Sequence, residues 1–247
     1  MTEHVAIVTG GTRGIGAAIS EVLADGGTHV AAVYAGNHDA ARDLAARLAQ
    51  RGGSVSLHHG DVGDPAFCRS LVAGLAGQRG RVDYLVNNAG LLVENRVTQM
   101  TDEQWDAALR VNLSGPFQLA RAVIEPMTEQ GFGRIVNVGS VTAAMGNAVE
   151  AGYGAAKAGL LGLTRSLARA VARKGITVNL VVPGVFETEM AQAMRPEAQE
   201  AIRRMIPAGR RGDPAELAHA VRFLLADQAG YMTGSVVTVD GGLSMGA

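Results

Sequence analysis

Short aliphatic runs alternate with longer stretches of helical period along the whole chain. The runs cover residues 5–9, 29–34, 54–59, 84–87, 134–138, 177–182 and 236–239. Between them, apolar residues return at helical spacing over 14–26, 38–51, 65–79, 102–129, 152–174 and 214–226. A repeated β-α order of this kind predicts a doubly wound, mostly parallel α/β sheet of seven strands with helices on both faces. Capping chemistry supports the helix limits. Asp213-Pro214 with Glu216 reads as N-cap, N1 proline and capping box, and Thr101 before Asp102-Glu103 opens the helix at 102. Gly175 ends the helix before Ile176 as a C′ glycine. The stretch 187–212 reads differently, as a short polar and Met-containing helix between prolines, and is expected to form a substrate lid. No linker, repeat or composition shift divides the chain, so residues 1–247 are expected to form one domain.

Composition narrows the class. Hydrophobic residues are 47% and charged residues 18%, enough for a sizeable core, while aromatics are 4%, so that core is aliphatic. Glycine is the outlier at 33 of 247 residues, without a collagen-like period. It must serve turns, close packing or approach to a ligand. A formal charge of −1 and no polybasic block argue against nucleic-acid or membrane-surface binding. Cys68 is the single cysteine, no run is long enough to span a bilayer, and the start of the chain carries no leader pattern. A cytoplasmic protein is expected.

Candidate chemistry begins at Thr9-Gly10-Gly11-Thr12-Arg13-Gly14-Ile15-Gly16, between the first strand and first helix. Glycine there lets backbone N–H groups and the helix dipole meet a diphosphate, although the same residues also suit a tight turn without ligand. The spacing G-x-x-x-G-x-G departs from G-x-G-x-x-G. The second strand ends in Tyr34-Ala35-Gly36-Asn37 with no acid to hold a ribose 2′-hydroxyl, and Arg13 can reach the same place, which favours NADPH/NADP+ over NADH. Tyr153 and Lys157 lie one helical turn apart, so an ammonium stands beside a phenol and is expected to pull its pKa down toward a useful range. Ser140 follows the strand 134–138, at the carboxyl end where such sheets bind ligands.

Taken together, Thr9-Gly-x-x-x-Gly-Ile-Gly16, Asn87-Asn88-Ala89-Gly90, Asn112, Ser140, Tyr153-x-x-x-Lys157 and Pro183-Gly184 resemble the classical short-chain dehydrogenase/reductase family, in order and over essentially the whole chain. Gly139-Ser140-Val141, Met145-Gly146-Asn147, Gly175-Ile-Thr-Val-Asn179 and the tail from Tyr231 to Gly242 resemble its bacterial 3-oxoacyl-acyl-carrier-protein reductase branch. The resemblance implies a Rossmann-like three-layer fold. It implies that Tyr153 gives a proton to a substrate carbonyl, Ser140 steadies the oxygen, Lys157 holds the nicotinamide ribose, and Asn112 places a water leading to Lys157. It further implies cofactor contacts from Gly10, Thr12, Arg13, Gly14, Ile15, Gly16, Tyr34, Asp61, Val62, Asn88, Ala89, Gly90, Pro183, Gly184, Phe186 and Thr188, with Asp61 on the adenine edge and Thr188 near the diphosphate or the amide end of the cofactor.

The resemblance also implies a 3-oxoacyl thioester substrate, carried on acyl carrier protein, and a homotetramer paired through the fourth and fifth long helices and the last strand and helix. Other carbonyl substrates of the same chemistry are acetoacetyl-CoA, a polyketide or pigment intermediate, or a secondary alcohol or sugar. Phe186 replaces a smaller aliphatic residue beside the nicotinamide, and Gly131 stands where some relatives have arginine. Met190, Met194 and Met205 fit an adaptable acyl pocket and fit ordinary packing about as well. Arg195, Arg203, Arg204, Arg210 and Arg211 fit a solvated helix face better than a carrier-protein dock. The six histidines show no metal-ligand company, and no metal is expected.

Overall fold

The computed structural model describes residues 3–188 and 195–246. Seven strands, β1 (Val5–Thr9), β2 (His29–Tyr34), β3 (Val55–His59), β4 (Tyr84–Asn87), β5 (Gly133–Val138), β6 (Ile176–Pro183) and β7 (Val236–Val239), form one sheet in the order β3-β2-β1-β4-β5-β6-β7. All six pairings are parallel. Because side chains alternate along a strand, each strand feeds two cores. Ala6, Val8, Val30, Ala32, Val136 and Val138 pack with α1 (Gly14–Asp25), α2 (His38–Gln50) and the late helix Pro214–Leu225. Ile7, Ala31, Val33, Leu85, Ile135 and Val178 point the other way, onto α3 (Pro65–Arg79), α5 (Gly115–Gln130) and α7 (Ala151–Val171). Both faces are therefore dry, and the three-layer Rossmann-like α/β class follows directly from strands that are apolar at consecutive positions. Strand order reverses between β1 and β4, which opens a crevice at their carboxyl ends.

The expected helix 102–129 is two helices. The first, α4 (Asp102–Leu109), is capped by Thr101, with Gln104 completing the capping box. A π turn, Arg110–Ser114, then leads into α5, and Gly115 N–H donates to Arg110 O across five residues. Two side chains account for the break. Asn112 Nδ2 donates to Ala108 O (2.8 Å), taking the carbonyl that its own backbone N–H would use in an α-helix. Pro116 has no N–H to offer the turn before it. A four-residue helix α6 (Thr142–Met145) follows β5, and α8 (Pro196–Met205) and α9 (Pro214–Leu225) both start on proline. Among the described residues no helix is long and apolar enough to cross a membrane.

Candidate active site

The β1–α1 turn is clamped to the end of β4 across the crevice. Thr9 Oγ1 donates to Val86 O (3.3 Å) and accepts from the backbone N–H groups of Asn88 and Ala89 (both 2.9 Å). Asn88 Nδ2 donates back to Thr9 O (2.9 Å) and Gly10 O (3.3 Å). This closeness explains the glycines. A Cβ on Gly16 would lie 2.0 Å from Gly10 O, and Gly10 itself holds φ +61° against Asn88 and Ala89. Thr12 is buried beneath the turn, Ile15 packs on the core, and Arg13 is exposed at the N-cap of α1, where no side chain caps the helix. A diphosphate fits such a cradle, with the helix amino end facing it and every intruding Cβ removed. Thr188 closes the other side, its Cγ2 3.5 Å from where a Cβ of Gly14 would stand.

The carboxyl ends of β4 and β5 and the start of α7 bring the polar groups together. Ser140 is buried after β5 and its hydroxyl accepts from Thr142 N–H (3.2 Å). Burial pushes the half-buried Tyr153 phenol upward in pKa. A hydrogen bond with Ser140 works against that, and the charge of Glu150 adds to it. Lys157, one turn on, lies over the Tyr153 ring at 5.6 Å and donates to Val138 O (2.8 Å). It is buried, and burial lowers its pKa to about 8. The expected pull of Lys157 on the phenol is thus not what dominates; loss of water around both groups is. Asn112 reaches the same place through the π turn. Its side chain accepts from Leu91 N–H (3.1 Å) and donates to Leu91 O (2.8 Å), fixing the loop after β4. A Cβ on Gly90 would sit 3.1 Å from Asn112 Oδ1 and 3.9 Å from Lys157 Nζ, so this glycine keeps the floor of the cleft open beside the ammonium.

Farther along the crevice, β2 and β3 end in Tyr34 and His59. Tyr34 Oη lies 3.2 Å from His38 Nδ1, and the Tyr34, His38 and His59 rings stand against one another at 4.8–5.4 Å. No carboxylate occupies the tip of β2. Asp61 follows β3, its carboxylate accepting from Gly63 N–H (2.7 Å) and from Arg110 Nη1 (2.5 Å). Val62 is buried against Gly115.

Residues 10–244 match the family model described as "Enoyl-(Acyl carrier protein) reductase". The chain is 43% identical to the 3-oxoacyl-[acyl-carrier-protein] reductase of Escherichia coli (strain K12) over 98% of this chain and 97% of that protein. It belongs to the short-chain dehydrogenase/reductase family. It is also similar to the acetoacetyl-CoA reductase of Shinella zoogloeoides (44%, over 97% of this chain and 98% of the other) and to nodulation protein G of Azospirillum brasilense (39%, over 99% of each). A short-chain dehydrogenase/reductase is an oxidoreductase that works with a nicotinamide cofactor.

The Phe186 ring is buried in the core with Leu217 and Val221 and lies where a Cβ of Gly212 would be, at 2.4 Å. Phe186 also borders a small pocket with Val185, Ala208, Val239 and Asp240. Gly184 is required by Asp240, whose Cα would be 2.7 Å from a Cβ there, while Pro183 O accepts from Val141 N–H (3.1 Å). Met190 and Met194 lie outside the described residues; Met205 is exposed. Thr142, Glu150 and Arg110, near this short-chain dehydrogenase/reductase site, belong to none of the sequence motifs. Thr142 and Asn147 hold Glu150 at 3.2 and 2.6 Å, and burial raises the pKa of that carboxyl. Arg110 grips Asp61. Only a polar position just before Tyr153 signals Glu150 in sequence, and nothing signals Arg110.

Proposed function

We propose that the chain reduces a 3-oxoacyl thioester, carried on acyl carrier protein, to the 3-hydroxyacyl thioester with NADPH. The observation that carries the reading is the meeting of Ser140 and Tyr153 hydroxyls, with Lys157 one turn away, beside a glycine cradle for a dinucleotide. Two hydroxyls converging on one point suit the single oxygen of a carbonyl. The relatives' names agree on the substrate chemistry, since 3-oxoacyl-acyl-carrier-protein and acetoacetyl-CoA are both 3-oxoacyl thioesters. NADPH is favoured by the acid-free tip of β2 and by exposed Arg13 at the glycine turn.

When bound, NADPH supplies the hydride. Tyr153 donates its proton to the carbonyl oxygen, and the burial that raises its pKa keeps that proton in place at neutral pH. Ser140 holds the oxygen as negative charge grows there. Lys157 orients the ribose of the cofactor and passes a proton to Tyr153, while Asn112 fixes Leu91 and, with it, Gly90. Gly10, Thr12, Gly14, Gly16 and Thr188 hold the diphosphate; Tyr34, Asp61, Val62, Asn88 and Ala89 border the adenosine. The active molecule is a cytoplasmic homotetramer in this reading. Support for assembly comes from exposed Trp105, Phe117 and Met145 along α4, α5 and α6, and from Phe223, Tyr231 and Val236 near the open edge at β7.

Acetoacetyl-CoA is the second substrate reading, carried by the similarity to a reductase of that name. The test is NADPH consumption with acetoacetyl-acyl-carrier-protein, acetoacetyl-CoA, an unactivated ketone and a 2-enoyl thioester. Reduction of a 3-oxo thioester at least ten times faster than the ketone and the enoyl compound is expected. Faster turnover of the free ketone would overturn the thioester assignment.

A further inference from the structure

The two ends of the proposed cofactor cleft are tied to the same five residues. Arg110 opens the π turn Arg110–Ser114, and Asn112 lies in it. Through Asn112 the turn fixes Leu91 and sets the floor beside Lys157. Through Arg110 it reaches the loop after β3, where the guanidinium takes Asp61 Oδ2 at 2.5 Å. The loop is built to admit that guanidinium. A Cβ on Gly63 would stand 2.0 Å from Arg110 Nη1 and 2.9 Å from its Cζ, so only a glycine lets the arginine lie across the backbone. Next to it, a Cβ on Gly115 would stand 3.0 Å from Val62 O, so the π turn and the Asp61-Val62-Gly63 loop meet on glycine from both sides.

The Asp61 carboxylate is thereby held at both oxygens, Oδ1 on Gly63 N–H and Oδ2 on Arg110. Burial works to raise its pKa, but the Arg110 and Gly63 hydrogen bonds and the Arg110 charge outweigh it, and the carboxyl is held below the usual range. Both partners of the pair are about half exposed, 48% and 47% for their side chains. Exposed pairs of this kind contribute little to global stability. A fixed carboxylate at the mouth of a cleft is better explained by what it recognises.

We propose that Arg110 is a positioning residue for the adenine end of the cofactor: it orients Asp61 to accept from the exocyclic amino group of an adenine and ties that recognition to the turn bearing Asn112. This inference rests on the reading of Asp61 as an adenine contact. Adenine recognition is then set from the catalytic side of the cleft rather than by the β3–α3 loop alone.

The test uses two half-cofactors, adenosine 2′,5′-bisphosphate and reduced nicotinamide mononucleotide, with equilibrium binding read by calorimetry and thermal stability read in parallel. Arg110→Gln is expected to weaken the adenosine probe about five- to tenfold, to leave the nicotinamide probe within twofold, and to leave Tm nearly unchanged. Arg110→Lys should recover part of the loss. Gly63→Ala keeps the charge but displaces the guanidinium, and should weaken the adenosine probe alike. In an Asp61→Asn background Arg110→Gln should add nothing. Equal weakening of both probes, or adenosine affinity within twofold of wild type in both single variants, would overturn the inference. Failure of the wild-type protein to bind either probe would instead overturn the cofactor reading beneath it.

Discussion

At the amino edge of the sheet Asp83 is fully buried, yet its carboxylate is surrounded by donors: Val5 N–H at 2.8 Å, Arg81 Nε at 2.8 Å and Arg81 Nη2 at 2.6 Å. Nearby, Arg134 lies 4.3 Å over the Phe132 ring and donates to Gly133 O and Gly175 O, while its Nε has no hydrogen-bond partner among the described residues and burial lowers its pKa. At the carboxyl edge Lys157 is almost as deeply buried, but its ammonium donates to Val138 O and its pKa has dropped to about 8. Tyr153 beside it is pushed the opposite way. The Asp83 carboxylate is thus matched by a guanidinium and a backbone N–H at one edge, whereas the Lys157 ammonium at the other has a neutral carbonyl as its hydrogen-bond acceptor. Burial also perturbs Arg134 and Tyr84 at the amino edge, so what sets Lys157 and Tyr153 apart is their place beside Ser140 at the strands' carboxyl ends.

The largest effect should come from the carboxyl edge. Tyr153→Phe removes the proton donor while keeping the ring, and kcat should fall about 10²- to 10⁴-fold, the usual share of a general acid. NADPH affinity and the unfolding midpoint should stay close to wild type. Near-normal turnover would remove Tyr153 from the mechanism, and a large loss of stability would erase the contrast between the two edges.

The amino edge should behave in reverse. Asp83→Ala strands the Val5 N–H and removes the carboxylate that the Arg81 guanidinium pairs with. Because Arg81 keeps some solvent contact (25% for its side chain), the cost should be about 2–3 kcal/mol, below the range for a wholly buried pair. Denaturant unfolding measures it. Turnover per folded molecule should remain within twofold, since a strand of this length puts the two edges about 15 Å apart. A kcat loss larger than the stability loss would show that the edges are coupled.

Much of this contrast was legible in sequence, for reasons that differ by element. Strands 5–9, 29–34, 84–87 and 236–239 fall where expected because an aliphatic run flanked by turn residues has no other way to be buried. Gly10, Gly16, Tyr153 and Lys157 were legible because turn and helix geometry act over a few residues. The break in 102–129 was not, since the apolar repeat continues through it and the cause is a side-chain bond from Asn112 to Ala108, with Pro116 as the one visible hint. Arg110 meets Asp61 across 49 residues, a pairing that no local pattern encodes. The Phe186 ring faces the core because Gly212, far along the chain, leaves room for it.

The smallest effect is the most direct reading of the carboxyl edge. Lys157 titrates at about 8 because burial penalises its charge, against an ordinary value of 10.5. An anionic dinucleotide filling the cleft favours the ammonium, so binding must raise that pKa and draw a proton from solvent. At pH 8 the free protein holds the proton about half the time, and NADPH binding should take up as much as about half a proton per site. The uptake should vanish near pH 6.5, where the lysine is already charged, and grow as pH rises above 8. A 2′-phosphate contributes little at pH 8, because its second proton leaves near about 6. Calorimetry in buffers of different ionisation enthalpy measures the number, and Lys157→Met should abolish it while Asp83→Ala should not. No uptake at pH 8 in wild-type protein would mean that Lys157, like Asp83, already holds its charge fully compensated.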